Sequence, residues 1–323
     1  MSTIEMINAA RDRIADHVRQ TPVLTSPFLD KIAGRRVLVK AECLQLTGSF
    51  KFRGGYSALS GISEAQRAGG VIAYSSGNHA QGVALAAKLH GVAAVIVMPS
   101  DAPKLKIDNT RAFGAEVVLY DRFGEDRDAI GQKLATERGL TLIRPYDEPL
   151  VIAGQGTLGL ELGPQLAKHG MTSGDVLVCC GGGGLTSGIA LALADVAPGL
   201  RVRPVEPVGF DDVARSLASG RIEHNSGDAR SICDAIVTPA PGNLTFPILQ
   251  AHCGPGLSVS DEDALRAVAL AFQRLKIVAE PGGAVALAAA LFQADALAGD
   301  AVAVVVTGGN VDGDVFAQAL GML

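Results

Sequence analysis

Short apolar runs alternate with amphipathic segments along this chain, and this alternation limits the fold more than any other feature. Residues 71–74 form one apolar run, a polar loop follows at 75–79, residues 81–90 have a helical pattern, and a second apolar run occupies 92–98. Strands buried on both faces of a parallel sheet appear as continuous apolar runs, and helices usually connect them. The pattern therefore predicts an α/β fold made of strand–helix–strand units.

The length of the chain, 323 residues, is large for one hydrophobic core. The best internal boundary is the segment 145–149, where two prolines and two acidic residues interrupt the pattern. We therefore expect two lobes, a small domain of residues 71–149 and a large domain assembled from residues 1–70 and 150–323.

Charge and hydropathy exclude two classes of partner. The chain has 28 Lys and Arg against 33 Asp and Glu, a net charge of −5, and it lacks the basic block of a nucleic-acid-binding protein. The mean hydropathy is +0.28, but the most apolar window, 284–292, is too short to cross a membrane. We expect a small-molecule partner and a homodimer or homotetramer that buries apolar surface, with no nucleic acid and no membrane.

The cysteines and the N-terminus indicate the compartment. The five cysteines are an odd number without C-x-x-C spacing, which argues against a disulfide framework and against structural zinc. Charged residues at Glu5, Arg11 and Asp12 stand where a signal peptide needs an apolar core. A cytoplasmic location is therefore expected.

A run of four glycines suggests a phosphate site. Gly181, Gly182, Gly183 and Gly184 follow the apolar run 176–179 and precede a helical pattern. Unobstructed backbone N–H groups at a helix N-terminus favour a phosphate. The run lacks the last glycine of the dinucleotide fingerprint and the G-K-[ST] of a P-loop. The alternative is a tight turn whose glycines only permit close packing.

A single lysine lies among small residues. Lys51 follows Gly48 and Ser49, precedes Gly54, and lies where a loop becomes a helix. This setting favours an amine held for covalent chemistry on a carbonyl group. The alternative is an ordinary surface lysine.

These segments, in this order, closely resemble the pyridoxal-phosphate enzymes of fold type II, the tryptophan-synthase β-subunit type. Within that group the serine/threonine dehydratases and serine racemases are most similar, and segments 280–284 and 307–312 extend the likeness nearly end to end. The resemblance implies an α/β fold of two open lobes, each with a mostly parallel sheet flanked by helices. It also implies pyridoxal 5'-phosphate as cofactor, with Lys51 as the Schiff-base lysine that takes the Cα proton.

The resemblance assigns further residues to the cofactor and to the substrate. The cofactor site would comprise Phe50, Lys51, Asn78, Gly181, Gly182, Gly183, Gly184, Leu185 and Thr307. The substrate carboxylate would bind to Ser75, Ser76, Gly77, Asn78 and His79. Ser76 matches the racemase serine that faces Cα opposite the lysine, or it is a helix N-cap. The neutral hydroxyl of Thr307 at the ring nitrogen would suit β-elimination.

Two carboxylates after a predicted strand suggest a cation site. Glu206 and Asp212, with the Phe210 carbonyl between them, resemble the divalent-cation site of serine racemases, which would take Mg²⁺ or another divalent ion. The alternative is a capped helix start, in which a carboxylate near the N-terminus stabilises the helix.

The function implied is a PLP-dependent ammonia-lyase, a dehydratase of amino-acid catabolism. It would convert L-threonine or L-serine to a 2-oxo acid and ammonia. Alternatives are a serine racemase and a dehydratase of 3-hydroxyaspartate or an aryl-serine. From a different class, the chain could be a non-catalytic module that binds a phosphate ligand on the same sheet.

Overall fold

The computed structural model describes residues 2–122 and 124–323 and contains two sheets. The larger sheet has the order β1-β2-β10-β7-β8-β9, and only the β1–β2 pair is antiparallel. Its strands are β1 Val23–Leu24, β2 Arg36–Ala41, β7 Gly174–Cys179, β8 Leu200–Pro207, β9 Leu257–Val259 and β10 Ala301–Val306.

The smaller sheet has four parallel strands in the order β5-β4-β3-β6. Its strands are β3 Val71–Tyr74, β4 Ala94–Pro99, β5 Glu116–Tyr120 and β6 Thr141–Leu142. All four fall between residues 71 and 149, although the division into domains at these positions stays a prediction. The expected α/β class with two mostly parallel sheets is confirmed.

Helices cover the faces of both sheets. They are α1 Ile4–Ile14, α2 Pro27–Ala33, α3 Lys51–Gly61, α4 Glu64–Ala68, α5 Asn78–His90, α6 Lys104–Ala112, α7 Arg127–Arg138, α8 Pro149–Lys168, α9 Gly184–Val196, α10 Asp212–Ser219, α11 Thr245–His252, α12 Asp261–Leu270, α13 Pro281–Phe292 and α14 Gly313–Leu320. None of the helices in the described ranges is long and apolar enough to cross a membrane.

The core of the larger sheet follows from the period of its central strand. Along β10, Val302, Val304 and Val306 enter the cluster that contains α13, whereas Ala303 and Val305 enter the cluster on the opposite face. Because successive side chains of a strand point to opposite faces, one apolar strand fills both layers. Each fully buried valine contributes about 1.5–3 kcal/mol of hydrophobic stabilisation.

The sheets bring their functional loops to the same cleft. The loop after β3, the glycine run after β7 and Thr307 after β10 all follow the carboxyl ends of parallel strands. In open α/β sheets, ligands bind at this edge. The cleft between the two sheets is therefore the candidate site.

Candidate active site

One cleft collects the residues predicted for the cofactor and for the substrate carboxylate. Its lining includes Phe50, Lys51, Ser75, Ser76, Gly77, Asn78, His79, Gly181, Gly182, Gly183, Gly184, Leu185 and Thr307. The lining also contains residues that were not predicted, among them Lys106, Arg127, Tyr146 and Asp234. The predicted roles of the first group stay predictions, but the structure places all of these residues around one space.

Lys51 begins helix α3 on the wall of this cleft. Its Nζ donates a hydrogen bond to the Pro145 carbonyl at 2.7 Å and lies 5.3 Å from the centroid of the Phe50 ring. Burial lowers the pKa of Lys51 from its ordinary value to about 8. A much larger fraction of this amine is neutral near pH 7 than in a solvated lysine, and the neutral amine is the form that attacks a carbonyl.

The glycine run has the features of a phosphate cradle. Gly183 has φ +91°, a conformation that favours glycine, and helix α9 starts directly after it. A Cβ at Gly182 would lie 2.3 Å from the Tyr146 ring, so no larger residue fits. Apart from the nearby Cys180 thiol, the buried Thr186 hydroxyl has no hydrogen-bond partner among the described residues. Free donors at the start of a helix fit an anion.

The loop at 75–79 leads into helix α5, which begins at Asn78. The Gly77 backbone N–H donates to the Ser75 hydroxyl at 3.0 Å, and the Ser76 hydroxyl donates to Asp234 Oδ2 at 3.3 Å. The predicted N-cap role of Ser76 is wrong, because Gly77 is the N-cap residue and no side chain caps this helix. The Ser76 hydroxyl instead points toward Asp234, which lies in the part of the chain that surrounds the larger sheet.

His79 is a neutral structural residue. Its Nε2 lies 3.0 Å from the Ile143 carbonyl and therefore carries the proton that is donated to it. Burial, and then the nearby Lys51 charge, lower the pKa of His79 to about 3. This histidine cannot supply a proton as imidazolium near neutral pH.

Thr307 directly follows strand β10 and is 4% exposed. The Phe50 backbone N–H donates to the Thr307 carbonyl at 3.1 Å, so the strand end is tied directly to the residue before Lys51. A Cβ at Gly308 would lie 2.1 Å from Glu280 Oε1, which explains the glycine that follows. The backbone of Thr307 is thereby fixed at the wall of the cleft.

The predicted cation ligands lie outside the lining of the cleft. Glu206 is fully buried and accepts hydrogen bonds from the Val213 and Ala214 N–H groups at 3.0 and 2.8 Å, which makes it the cap of helix α10. Asp212 accepts from Asn225 through one oxygen, and its other oxygen is buried without a hydrogen-bond partner among the residues described. Within residues 2–122 and 124–323, no three His, Cys, Asp or Glu side chains are grouped as metal ligands. The start of helix α10 is therefore held by a carboxylate of β8, and neither Asp211 nor Asp212 caps it.

The pKa values of Glu206 and Asp212 are both raised. Burial, followed by the charge of Asp212, raises the pKa of Glu206 well above its ordinary value. Burial also raises the pKa of Asp212 to about 6. The Phe210 carbonyl, the third predicted ligand, belongs to the turn between β8 and α10, where the Phe210 N–H donates to the Pro207 carbonyl at 3.0 Å.

A family comparison decides the cofactor. The family described as pyridoxal-phosphate dependent enzyme matches residues 14–308. The chain belongs to this family of pyridoxal-phosphate dependent enzymes. The cleft fits that cofactor, because it offers an amine of lowered pKa and a glycine run beside the buried Thr186 hydroxyl. A non-catalytic binding module is not favoured by this membership.

Similar proteins divide among three activities. The chain is 45% identical over 324 residues to the L-threo-3-hydroxyaspartate ammonia-lyase of Pseudomonas sp, covering 99% of each chain. It is 40% identical to the serine racemase of Schizosaccharomyces pombe, covering 99% of this chain and 98% of the relative. The solved threonine deaminase from T.th. has a TM-score of 0.90 at 45% identity, covering 96% of this chain and 99% of that one. The resemblance to the fold type II dehydratase and racemase group is confirmed.

Proposed function

We propose that this enzyme is an ammonia-lyase for β-hydroxy amino acids. The observation that carries the proposal is Lys51, an amine whose pKa is lowered to about 8, in the same cleft as the glycine run 181–184 and the start of helix α5. The measurement is release of a 2-oxo acid and ammonia in equal amounts from the purified protein. Lys51→Ala should abolish this release, whereas release that persists in that variant would contradict the proposal.

The reaction needs three contributions from the cleft. When bound, pyridoxal phosphate supplies an electron sink for negative charge at the substrate Cα. Lys51 takes the Cα proton as a neutral amine, and the backbone N–H groups at the start of α5 hold the substrate carboxylate. The β-hydroxyl leaves with one proton as water, and hydrolysis of the resulting enamine gives the 2-oxo acid and ammonia. Thr307 and the glycine run would hold the ring nitrogen and the phosphate.

We further infer that 3-hydroxyaspartate is preferred over L-threonine and L-serine, the substrates first expected. Arg127 lines the cleft at the first turn of α7, with its guanidinium 5.4 Å from the centroid of the Tyr74 ring. Its only ion-pair partner in the described parts of the chain is Asp128, at 3.6 Å on an exposed side chain. Arginine binds carboxylates through two parallel hydrogen bonds, so Arg127 suits a second substrate carboxylate.

A substrate panel tests this preference. The specificity constants for L-threo-3-hydroxyaspartate, L-serine and L-threonine are compared in the wild type and in Arg127→Met. We expect the variant to lose about 10- to 100-fold for hydroxyaspartate, the size of one charge-assisted interaction, and to change little for serine. The control is Arg138→Met, at the other end of α7, where the arginine pairs with Glu116. Equal losses for all three substrates would contradict the inference.

A serine racemase is the second candidate function. The observation that favours it is the Ser76 hydroxyl, which lines the cleft and has a carboxylate partner in Asp234. A base on the face opposite Lys51 would allow a proton to return to either side of Cα. Chiral analysis of recovered serine decides the matter, because a racemase produces D-serine faster than it releases pyruvate.

A divalent cation between Glu206, the Phe210 carbonyl and Asp212 is also proposed. The support is chemical, since two buried carboxylates with raised pKa values, one of them with an oxygen that has no partner in the described ranges, would gain from a cation. The melting temperature should rise with millimolar Mg²⁺ and fall with chelator, and Asp212→Asn should remove this response. A melting temperature indifferent to both additions would contradict the proposal.

We propose a homo-oligomer, in which a second copy of the chain covers an aromatic patch. The patch contains Phe28, Phe272, Arg274 and Phe316, with Phe28 59% and Phe272 41% exposed. Two-fold assemblies bury the same patch of each copy, so an apolar surface of this kind can cover itself. Light scattering should give a dimer or tetramer that Phe28→Asp dissociates, and a monomeric wild type would refute the proposal. The cytoplasmic location stays a prediction.

A further inference from the structure

Lys106 is a buried charge on helix α6, on the same buried side as Ile107 and Thr110. Its side chain in α6 is 2% exposed, whereas the side chain of Lys104, at the start of the same helix, is 85% exposed. A buried ammonium is costly unless it is paired. Burial by itself would lower the pKa of Lys106, but Glu280 and then Asp234 hold that pKa above its ordinary value. The side chain is therefore charged and depends on its partners.

Both partners come from the part of the chain that surrounds the larger sheet. The Nζ of Lys106 lies 2.9 Å from Glu280 Oε2 and 3.5 Å from Asp234 Oδ2. Glu280 precedes helix α13, and Asp234 lies in a short 3-10 turn, Asp234–Ile236. Lys106 lies on a helix of the smaller sheet, and its ammonium group contacts carboxylates on the other side of the cleft.

The same two carboxylates hold the two ends of the 75–79 loop. The Asn78 side chain donates to Glu280 Oε1 at 2.5 Å, and the Ser76 hydroxyl donates to Asp234 Oδ2 at 3.3 Å. Between them, a Cβ at Gly77 would lie 2.2 Å from Lys106 Cδ, so the lysine stem packs directly against the loop backbone. The Lys106 ammonium group therefore connects the two carboxylates that bind the loop, and its stem fills the space beside the loop.

We propose that Lys106 is a positioning residue that fixes the 75–79 loop for carboxylate binding through Glu280 and Asp234. Lys106 itself does not contact the reacting atoms. It holds both carboxylates at the positions from which they accept the hydrogen bonds of Ser76 and Asn78. The link to substrate affinity depends on the proposed function, whereas the link to loop order does not.

Hydrogen–deuterium exchange and kinetics on the cofactor-loaded protein test the proposal. Lys106→Met keeps the stem but removes the charge, and it should speed exchange at residues 75–79 by about tenfold or more. The same variant should raise KM for the amino-acid substrate about tenfold while kcat changes less, because the loop binds the carboxylate. Lys106→Arg should recover part of both effects, and the matched control Lys104→Met should show neither.

The outcomes separate the two proposals. If Lys106→Met is too unstable to purify, Asp234→Asn, which alters a side chain that is 27% exposed, should still speed exchange at the Ser76 end of the loop. If Lys106→Met speeds exchange at 75–79 but the wild-type protein releases no 2-oxo acid, the positioning role is supported and the proposed function is refuted. Unchanged exchange at 75–79, or equal acceleration across the whole small sheet, would overturn the positioning role.

Discussion

Replacement of Glu42 by Gln should destabilise the fold that presents Lys51. Arg53, two residues after Lys51 in α3, is fully buried. It donates hydrogen bonds to both carboxylate oxygens of Glu42, at 2.8 and 2.9 Å. Arg53 also contacts Glu161 at 2.7 Å, and Glu161 pairs with the buried Lys40 at 2.8 Å. Two cations and two carboxylates balance, so Glu42→Gln leaves one buried positive charge uncompensated.

The magnitude follows from that imbalance. Breaking a buried ion pair from one side costs about 3–5 kcal/mol of the free energy of unfolding. With an unfolding entropy of about 2.1 cal/mol/K per residue, a chain of this length has about 0.7 kcal/mol/K, so the melting temperature should fall by about 4–7 °C. Although burial opposes ionisation, Arg53 holds the pKa of Glu42 below its ordinary value. The stabilisation is therefore complete above the range in which a free glutamate titrates and is lost as pH falls through the lowered pKa.

Thermal unfolding of matched variants is the assay. The control is Glu116→Gln, which breaks an exposed pair with Arg138 and should cost at most about 1 kcal/mol. The double variant Glu42→Gln with Arg53→Met should lose less than the sum of the two single variants, because it restores charge balance. A Glu42→Gln protein as stable as the control near pH 7 would refute the reasoning.

Two further predictions concern cofactor loading. The neutral amine of Lys51 is the reactive form, so the rate at which apoprotein takes up pyridoxal phosphate should increase with pH. This rate, followed by absorbance, should reach half of its maximum near the Lys51 pKa of about 8. A midpoint near pH 10 would contradict the effect of burial on that pKa. Gly182→Ala should weaken pyridoxal-phosphate affinity about tenfold or more, because its Cβ would meet the Tyr146 ring, whereas Gly313→Ala, where a Cβ meets nothing within 4 Å, should not. Equal affinities in a binding titration would contradict the cradle.

The sequence predicted those parts of the site that depend on local pattern. Gly181 to Gly184 form a contiguous signal whose physics needs only the neighbouring strand and helix. The small residues around Lys51 likewise indicate an unusual lysine without any knowledge of tertiary contacts. Alternation of apolar runs with helices predicted the sheet class, because parallel strands buried on both faces leave that pattern in any order of pairing.

Residues that act through long-range contacts left no such pattern. Lys106 resembles Lys104 in sequence, and only tertiary packing against Gly77, Asp234 and Glu280 buries one of them. Asp234 lies in the connection 221–245, where no periodicity indicated a function. Helix α12 continues into the π-helical segment Ala271–Leu275, after which Lys276 takes φ 62° and ends it, and no local pattern indicated this change.

Borohydride reduction of the purified protein, followed by peptide mapping, tests the central claim most directly. The account predicts one pyridoxyl label per chain, on the peptide that contains Lys51, and no label in Lys51→Ala. A label on Lys106 or any other lysine, or no label on a protein that releases 2-oxo acids, would contradict it.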